Sequence, residues 1–390
     1  MNKVTSPWPL YAENEIQAVT DILKSGKVNY WTGNVGKEFE RAFAEYAGCS
    51  YAIALANGTL ALELALYAID LQLGDEVIVT SRTFLASASC IVMRGGVPIF
   101  ADVDPISQNI TAETIAPVIT PKTKAIIAVH LAGWPCEMDK IMDLAEKHKL
   151  WVIEDCAQAH GARYKNRPVG SWGHLAAFSF CQDKIMSTGG EGGMLTTNDT
   201  ALWEKSWAYK DHGKSFETVY NREHPPGFRW LHESFGTNWR LTEMQSAIGL
   251  KQLEKLDSWV GKRRQNALML TKAFKEVPFL DIHEPCDAIY HSYYKHYVFI
   301  NDKIPEEWSR DSIMNALNDH GVPCFSGSCS EIYLEKCFEN SGMQQKIRLP
   351  NAKKLGETSL MFLVHPTILE KEMKEVVKAI KSVFSEILET

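Results

Sequence analysis

The chain has 390 residues, 45% of them hydrophobic and 23% charged, the profile of a soluble globular protein long enough for two domains. Its 41 basic and 48 acidic residues give a net charge of −7, which argues against a general electrostatic grip on nucleic acid. Its first residues lack an apolar run of signal-peptide length and no stretch approaches a membrane span, so we expect a cytoplasmic protein.

The first two-thirds of the chain alternates helical and strand periodicity. Helices are predicted over residues 14–24, 37–46, 59–67, 84–93 and 138–148, and apolar strands over residues 76–80, 97–101, 125–129, 150–154, 176–180 and 193–197. This βαβα order predicts an α/β fold with a mostly parallel sheet that helices cover on both faces.

The pattern changes near residue 241, where one long helical period covers residues 241–276. A strand at residues 296–300 and helices at 309–320 and 369–388 follow. We therefore predict a large domain over residues 1–260 and a smaller α+β domain over residues 261–390.

The nine cysteines are an odd, scattered set without a C-x-x-C pair. Cys324 and Cys329 are close in sequence but lack partner ligands at metal spacing. We expect reduced thiols and no metal site.

The first candidate for chemistry is the run VIEDCAQAH at residues 152–160. An apolar strand ends here in a carboxylate, and ligands of open α/β sheets bind beyond the carboxyl ends of strands. Asp155 is therefore placed to pair with a protonated pyridine nitrogen, which keeps the ring charged and lets it act as an electron sink. Taken alone, Asp155 is better explained as a helix N-cap or a metal ligand.

The second candidate is FSFCQDK at residues 178–184, followed by STGGEGG at residues 187–193. A strand delivers Lys184 into a loop with four glycines in five positions, where a ligand can approach the backbone closely. A lysine in a ligand-filled pocket attacks carbonyl carbons as a neutral amine. The alternative is a surface lysine before a flexible turn, but the glycines and the upstream Asp155 favour the reactive lysine.

Two weaker signals are consistent with a cofactor that contains such a pyridine ring. Residues 56–59 (ANGT) open an apolar helix, whose first N–H groups are suited to a phosphate, although Asn-Gly-Thr is also an ordinary turn and cap. Phe84 follows the strand Glu76–Thr80 and is placed to stack on a planar ring. Taken singly, Phe84 is more simply explained as a core residue.

The stretches EDCAQAHGARY, FSFCQDKIMSTGGEGG and GTNWRLTEMQSAIGL occur in this order along the chain. Together with these signals they give a sequence that resembles the DegT/DnrJ/EryC1/StrS sugar aminotransferases over nearly its whole length. The resemblance implies a fold-type I enzyme that uses pyridoxal 5′-phosphate, with the pyridoxamine form alternating during turnover.

The resemblance also implies roles for single residues. Lys184 would form the Schiff base and act in catalysis together with Asp155, which would bind the pyridine nitrogen. Gln158 would contact the ring hydroxyl and Phe84 would stack on the ring. The implied phosphate ligands are Gly58, Thr59, Ser179 and, reaching the phosphate of the neighbouring subunit, Asn238. A homodimer with shared active sites follows from this last role.

The lysine at position 184 bears on the reaction, because relatives that remove a sugar hydroxyl carry histidine there. We therefore expect amination: L-glutamate donates its amino group to the ketone of a nucleotide-linked keto-6-deoxyhexose, with C4 the favoured position. The aminosugar would serve surface polysaccharide such as the O-antigen of lipopolysaccharide. A pyridoxamine-dependent sugar dehydratase and a non-catalytic regulator on the same fold are the alternatives.

Substrate contacts are expected in three places. The tract at residues 208–231 offers a diphosphate the side chains of Lys210, Lys214, Arg222 and Arg229, unless it is a solvated surface loop. The aromatic stretches at residues 30–31 and 291–297 are candidates for the sugar pocket. The full set of expected substrate residues is Tyr30, Trp31, Glu191, Arg229, Arg240 and Tyr293, with Arg240 open between the site and the subunit interface.

Overall fold

The computed structural model describes residues 6–389, so residues 1–5 and 390, at the outer ends of the two predicted domains, lie outside the described residues. The first part of the chain contains α1 (Glu13–Ser25), α2 (Val35–Ala47), β1 (Tyr51–Leu55), α3 (Gly58–Ala68), β2 (Glu76–Thr80), α4 (Ala86–Met93), β3 (Val97–Ala101), α5 (Ala112–Ile115), β4 (Thr123–Val129), α6 (Met138–His148) and β5 (Trp151–Asp155).

The middle part contains β6 (Arg163–Tyr164), β7 (Arg167–Pro168), β8 (Leu175–Ser179), β9 (Gly193–Thr197), α7 (Thr200–Lys210), α8 (Phe216–Tyr220), α9 (Glu243–Leu253) and α10 (Leu256–Phe274). The last part contains β10 (Leu280–Asp281), β11 (Ile289–Tyr290), β12 (His296–Ile300), α11 (Arg310–Asp319), β13 (Cys324–Phe325), α12 (Lys336–Glu339), α13 (Pro350–Thr358), β14 (Ser359–Phe362) and α14 (Glu370–Glu389).

The large sheet has seven strands in the order β1-β9-β8-β5-β4-β2-β3. Neighbouring strands are parallel from β8 to β3, and only β9 runs against the others. This confirms the predicted α/β fold with a mostly parallel sheet. The carboxyl ends of β1, β2, β5 and β8 consequently lie along one edge of the sheet, where ligands of such folds bind.

Helix α3 shows why the interior on one side of this sheet is apolar. Its sequence, GTLALELALYA, is hydrophobic on almost every face, as expected for a helix with neighbours on all sides. Leu64, Ala65 and Leu66 are all fully buried, because α3 packs on β8 and β9 as well as on α4 and α7. The N-terminus of α3 is thereby fixed at the ligand-binding edge of the sheet.

The predicted single helix over residues 241–276 is two helices, α9 and α10. The backbone leaves helical geometry at Lys255 (φ −99°, ψ −13°), and the ammonium of Lys255 is bound by Asn14 and by the buried carboxylate of Glu15. The break lets α9 pack on α1 and α2 while α10 packs along α14. The helical period continues across the break, so the sequence pattern does not reveal it.

A second, antiparallel sheet in the order β10-β12-β14-β13 forms the centre of the smaller unit. Helix α10 contributes to the cores of both units: Val260 packs in the core of the large unit, and Leu270 and Phe274 pack in that of the small one. The predicted domain boundary at residue 260 falls inside α10, a helix that packs in both units, and it remains a prediction.

All nine cysteines are free thiols. Within residues 6–389, none of the helices is both long and apolar enough to cross a membrane.

Candidate active site

A cavity of about 570 Å³ lies at the carboxyl-end edge of the large sheet. Its walls come from the ends of β2, β5 and β8, the start of α3 and the loop after β8. The structure brings together there most of the residues that the sequence predicted for the cofactor and one predicted for the substrate: Gly58, Thr59, Phe84, Asp155, Gln158, Ser179, Lys184 and Glu191.

Asp155 ends β5 and is 5% exposed. Its Oδ2 accepts a hydrogen bond of 2.7 Å from Ser87 Oγ, and its Oδ1 accepts one of 3.1 Å from the backbone N–H of Ala157. Ser87 Oγ lies in turn 3.0 Å from Thr83 Oγ1. The carboxylate is therefore held in one orientation at the wall of the cavity.

Gln158 lies on the turn that follows Asp155. Its Oε1 accepts a 2.9 Å hydrogen bond from the backbone N–H of Ala132, which itself lies in a left-handed turn after β4 (φ 56°). An amide has one acceptor oxygen and two N–H donors. The donors of Gln158 thus remain for a ligand.

The N-terminus of α3 touches the end of β8. A Cβ atom at Gly58 would lie 2.6 Å from Ser179 Cβ and 3.1 Å from Ser179 Cα, so this approach requires glycine. Asn57 caps the helix by accepting the N–H of Leu60 at 2.9 Å. The first N–H groups of a helix have no partner inside it, and here they open toward the cavity beside the hydroxyl side chains of Thr59 and Ser179.

Lys184 lies in the glycine-rich loop between β8 and β9. Gly190 takes φ 116°, a backbone conformation that side chains disfavour, and its carbonyl accepts the N–H of Gln182 at 3.0 Å. Helix α9 secures the far end of the loop, because Gln252 Oε1 accepts the N–H of Ser187 and Gln245 Nε2 donates to the carbonyl of Glu191, each at 2.8 Å. The GTNWRLTEMQ stretch thus supports the loop that carries Lys184.

A segment at the other end of the chain also supports the loop. We call residues 6–11 the N-terminal strap. The indole N–H of Trp8 donates to the backbone carbonyl of Lys184 at 2.8 Å, and the hydroxyl of Tyr11 bonds Ser187 Oγ at 3.2 Å. The ring of Trp8 packs edge-on against Trp259 with centroids 5.2 Å apart.

The strap is fastened to the small unit. Ser6 Oγ donates to Glu372 at 2.7 Å, and Thr367 Oγ1 donates to the carbonyl of Pro7 at 2.8 Å. The ring of Trp8 also stacks near His365, with centroids 6.2 Å apart. One short segment therefore links the small unit to the backbone of Lys184, a contact that no local sequence signal indicated.

A second cavity, of about 540 Å³, adjoins the first and shares with it Phe84, Gln158, Asp183 and Lys184. Its remaining walls come largely from the small unit and include Tyr294, Lys295, Tyr297, Gly327 and Met361. The two cavities form one cleft between the large and small units, long enough for a cofactor and a second ligand.

Four charged or polar groups meet where the cavities join. Asp183 Oδ1 lies 3.6 Å from Lys184 Nζ, and Asp183 also accepts the hydroxyl of Tyr294. Burial alone would raise the pKa of Asp183, but Lys184 and Tyr294 outweigh it and hold this pKa below its usual range. The ammonium of Lys184 lies 5.1 Å and that of Lys295 4.8 Å from the centroid of the Tyr294 ring.

Asp183, Tyr294 and Lys295 are not among the site residues predicted from the sequence. Asp183 precedes the reactive lysine, so adjacency was a usable signal. Tyr294 and Lys295 lie in the HSYYKHY stretch that was named for the sugar pocket, but Tyr293 was chosen there. Tyr293 instead stacks on His291 with centroids 3.8 Å apart and packs against the small core, while its neighbour Tyr294 lines the cleft.

Tyr30, Trp31 and Lys210 lie away from these two cavities, in and around the core of the large unit. The hydroxyl of Tyr30 donates to Glu40 at 2.9 Å, and Glu40 pairs at 3.3 Å with Lys210, whose side chain is fully buried. Burial lowers the pKa of this ammonium. The expectation that Lys210 meets a diphosphate is wrong, because its charge is enclosed and already paired.

The other predicted contacts lie within residues 211–240, where Lys214 and Arg240 are partly buried. Lys214 stacks over Trp31 at 4.0 Å and pairs with Asp211, which also binds Arg240. Arg229 and Asn238 are exposed, as are three aromatic side chains of the same tract: Phe228 at 75%, Trp230 at 80% and Phe235 at 98%.

A separate buried cluster groups His130, Glu154 and Cys156, with candidate ligand atoms within 4.8 Å of one another. Glu154 accepts the backbone N–H groups of Gly170, Trp172 and Gly173 and lies 2.9 Å from His130 Nε2. His130 Nδ1 accepts the N–H of Cys136. These contacts occupy the carboxylate, and Glu154 anchors the turn that leads into β8.

Comparisons with known proteins agree with this geometry. Residues 9–381 match the model of the DegT/DnrJ/EryC1/StrS aminotransferase family. The crystal structure of an aminotransferase from Psychrobacter cryohalolentis superposes with a TM-score of 0.97 at 58% identity, covering 98% of this chain and 100% of that one.

Two curated relatives are also similar. GDP-perosamine synthase of Escherichia coli O157:H7 is 37% identical over 311 residues, 80% of each chain. A UDP-N-acetyl-3-dehydro-alpha-D-glucosamine 3-aminotransferase of Acidithiobacillus ferrooxidans is 34% identical over 356 residues, 90% of this chain and 88% of the relative. The chain belongs to the DegT/DnrJ/EryC1/StrS family of pyridoxal-phosphate-dependent aminotransferases.

Proposed function

We propose that this enzyme transfers the amino group of L-glutamate to the ketone of a nucleotide-linked keto-6-deoxyhexose, with the ketone at C4. The observation that carries the proposal is the convergence of Lys184 and Asp155 on one cavity beside the N-terminus of α3. Two relatives are named for nucleotide-linked sugars, GDP-perosamine and a UDP-linked 3-dehydroglucosamine, which supports a nucleotide-linked sugar as the acceptor. The aminosugar would be made in the cytoplasm for surface polysaccharide.

The residues of the cavity fit pyridoxal 5′-phosphate. Gly58 lets the start of α3 approach Ser179 where a Cβ would clash, and the free N–H groups of α3, with Thr59 and Ser179, suit the phosphate. Asp155 suits the pyridine nitrogen, Gln158 the ring hydroxyl and the 69% exposed ring of Phe84 the face of the pyridine. Lys184 would hold the cofactor covalently through Nζ.

When bound, pyridoxal phosphate supplies an electron sink for the carbon that loses its proton. The chain's own groups do the rest. Asp155, fixed by Ser87, keeps positive charge on the pyridine nitrogen. The amine of Lys184 would act first as a base, taking the proton from the amino-acid carbon that bears the amino group. It would then act as an acid, giving the proton to the cofactor carbon. Asp183 lies close enough to orient this ammonium between the two steps.

A two-step experiment tests the proposal. L-Glutamate added to the cofactor-loaded enzyme should abolish the visible absorbance of the bound cofactor and release one equivalent of 2-oxoglutarate. Adding the correct ketosugar should then restore the absorbance. The Lys184→Ala variant should show neither the loss of absorbance with glutamate nor its recovery with the ketosugar. A product that has lost a sugar hydroxyl and gained no amino group would indicate a sugar dehydratase and would refute the proposed transamination.

The same assay identifies the acceptor. GDP-, UDP- and dTDP-linked ketosugars, with and without an acetamido group at C2, are offered separately to the glutamate-treated enzyme. We expect recovery of the absorbance with one nucleotide and with the C4 ketone. Recovery with only a C3 ketone would contradict the C4 assignment and leave amino transfer standing.

We also propose a homodimer in which Asn238 serves the active site of the second copy. Asn238 is exposed and lies outside the linings of the two cavities of its own chain. The preceding tract exposes Phe228, Trp230 and Phe235, and a group of exposed large aromatics is typical of a surface that a partner covers.

Sedimentation analysis tests the dimer. Wild-type enzyme should have twice the mass of the chain, and the double variant Trp230→Ser, Phe235→Ser should shift toward monomer. Asn238→Ala should remain dimeric but bind the cofactor more weakly. A monomeric wild-type enzyme with full activity would refute the shared site.

A further inference from the structure

Lys295 is an uncompensated cation in the cleft. It lines the second cavity together with Lys184 and Asp183, and it forms no ion pair or hydrogen bond with any described residue between 6 and 389. Among the described residues, its ammonium lies over the face of Tyr294, 4.8 Å from the ring centroid. The nearby carboxylate of Asp183 is engaged by Lys184 and by the hydroxyl of Tyr294.

The surroundings add further positive charge. Arg263 is 2% exposed behind Tyr294 and donates one N–H to the carbonyl of that residue, while its Nε and Nη2 have no partner in the described structure. The pKa of Lys295 is lowered to about 8, chiefly by burial; Asp183 opposes this shift, and Arg263 and Lys184 contribute to it. A half-buried cation without a counter-ion is costly, and an anionic ligand removes that cost.

We propose that Lys295 binds a carboxylate of the amino donor. The inference rests on the proposed function and extends it to the recognition of the donor. Lys295 shares the reacting end of the cleft with Lys184 and Gln158, and in an amino acid the α-carboxylate is bonded directly to the carbon that reacts. A nucleotide diphosphate is separated from the ketone by the sugar ring, so it is expected further from Lys184.

Measuring the two half-reactions separately distinguishes binding of the donor carboxylate from binding of the diphosphate, because the amino donor reacts before the nucleotide sugar enters. The cofactor-loaded enzyme is mixed with L-glutamate alone, and the decay of its absorbance gives the glutamate concentration for half-maximal rate. Lys295→Met should raise this concentration about 10- to 100-fold, as expected for loss of a charged hydrogen bond. Lys295→Arg should retain most of the affinity. The exposed Lys371 provides the control, and Lys371→Met should change nothing.

Glutarate gives a readout that is independent of turnover. This dicarboxylate cannot react, and calorimetry should show that it binds the wild-type enzyme and that Lys295→Met weakens binding by the same factor. Comparing L-glutamine with L-glutamate then locates the contact. If Lys295→Met weakens both donors, the α-carboxylate is bound, whereas loss for glutamate alone indicates the γ-carboxylate.

The pH dependence covers the case in which Lys295→Met fails to fold. The charged or titratable groups that face Lys295 are Asp183, Lys184, Arg263, Tyr294 and His365. Since the cation is lost above a pKa of about 8, glutarate affinity of the wild-type enzyme should fall as the pH rises through 8, and that of Lys295→Arg should not.

The outcomes are distinct. Unchanged glutamate dependence in Lys295→Met overturns the inference, as does a defect confined to the sugar half-reaction, which would place the diphosphate at Lys295. In both cases the proposed function stands. A wild-type enzyme that fails to react with glutamate overturns the inference and the proposed donor together.

Discussion

Gly58→Ala tests the phosphate cradle at the start of α3. The new Cβ would lie 2.6 Å from Ser179 Cβ, about 1 Å inside ordinary contact, and 3.1 Å from Ser179 Cα. Ser179 ends a fully buried strand, so α3 has to move instead. A shift of about 1 Å lengthens hydrogen bonds from the first N–H groups of α3 beyond their useful range.

The magnitude follows from the number of bonds affected. A hydrogen bond to a charged group contributes about 1.5–3 kcal/mol, and one or two of them point at the phosphate. We therefore expect the affinity for pyridoxal phosphate to fall by about one to four orders of magnitude, since each 1.4 kcal/mol is a factor of ten. This loss is measured by titrating the apoenzyme with pyridoxal phosphate and following the tryptophan fluorescence.

Two comparisons make the result specific. Pyridoxal, which has no phosphate, should bind Gly58→Ala as weakly as it binds the wild type. Gly261 in the interior of α10 is the matched control, because no atom lies within 4 Å of its added Cβ. Gly261→Ala should leave cofactor affinity unchanged and stabilise the fold by up to about 1 kcal/mol. Unaltered cofactor affinity in a folded Gly58→Ala enzyme would refute the cradle.

Three further outcomes are expected. Trp8→Phe keeps an aromatic ring but leaves the carbonyl of Lys184 without its hydrogen-bond donor. The absorbance change in a single turnover with glutamate should become several-fold slower at unchanged secondary structure. An unaltered rate would contradict a role of the strap in positioning Lys184. Burial lowers the pKa of His160 to about 3 and that of His296 to about 4. Below the usual pKa near 6.5 the unfolded chain therefore binds more protons than the folded one, and stability decreases as the pH is lowered. Urea unfolding should lose roughly 2 kcal/mol per histidine between pH 6.5 and 5, and a flat profile would contradict this. Glu154→Gln should cost about 3 kcal/mol in the same assay, because one acceptor oxygen becomes a donor facing N–H groups; a loss below about 1 kcal/mol would contradict the anchoring role.

The strand-end residues were predictable because local sequence determines them. Asp155 ends a run of buried strand residues, and Gly58 opens an apolar helix, so their places at one sheet edge follow from the parallel topology. Lys184 follows a strand in the same way. In such cases one short segment contains both the structural signal and the functional side chain.

Contacts between distant segments were not predictable in this way. Asp183 and Tyr294 are 111 positions apart, and their pairing depends on how the small unit sits on the large one. Tyr293 is the predicted substrate residue, yet Tyr294 lines the cleft; neighbouring residues beside a strand point in different directions, and only the packed structure shows which one faces the cleft. The break at Lys255 depends likewise on a carboxylate from α1.

The strap has a consequence for the order of folding in the cell. Ser6 and Glu372 are separated by 366 positions, so the strap can reach its place on the small unit only after α14 has left the ribosome. The backbone of Lys184 receives its indole donor at that same late moment. A nascent chain can therefore complete its large sheet before the strap reaches the backbone of Lys184.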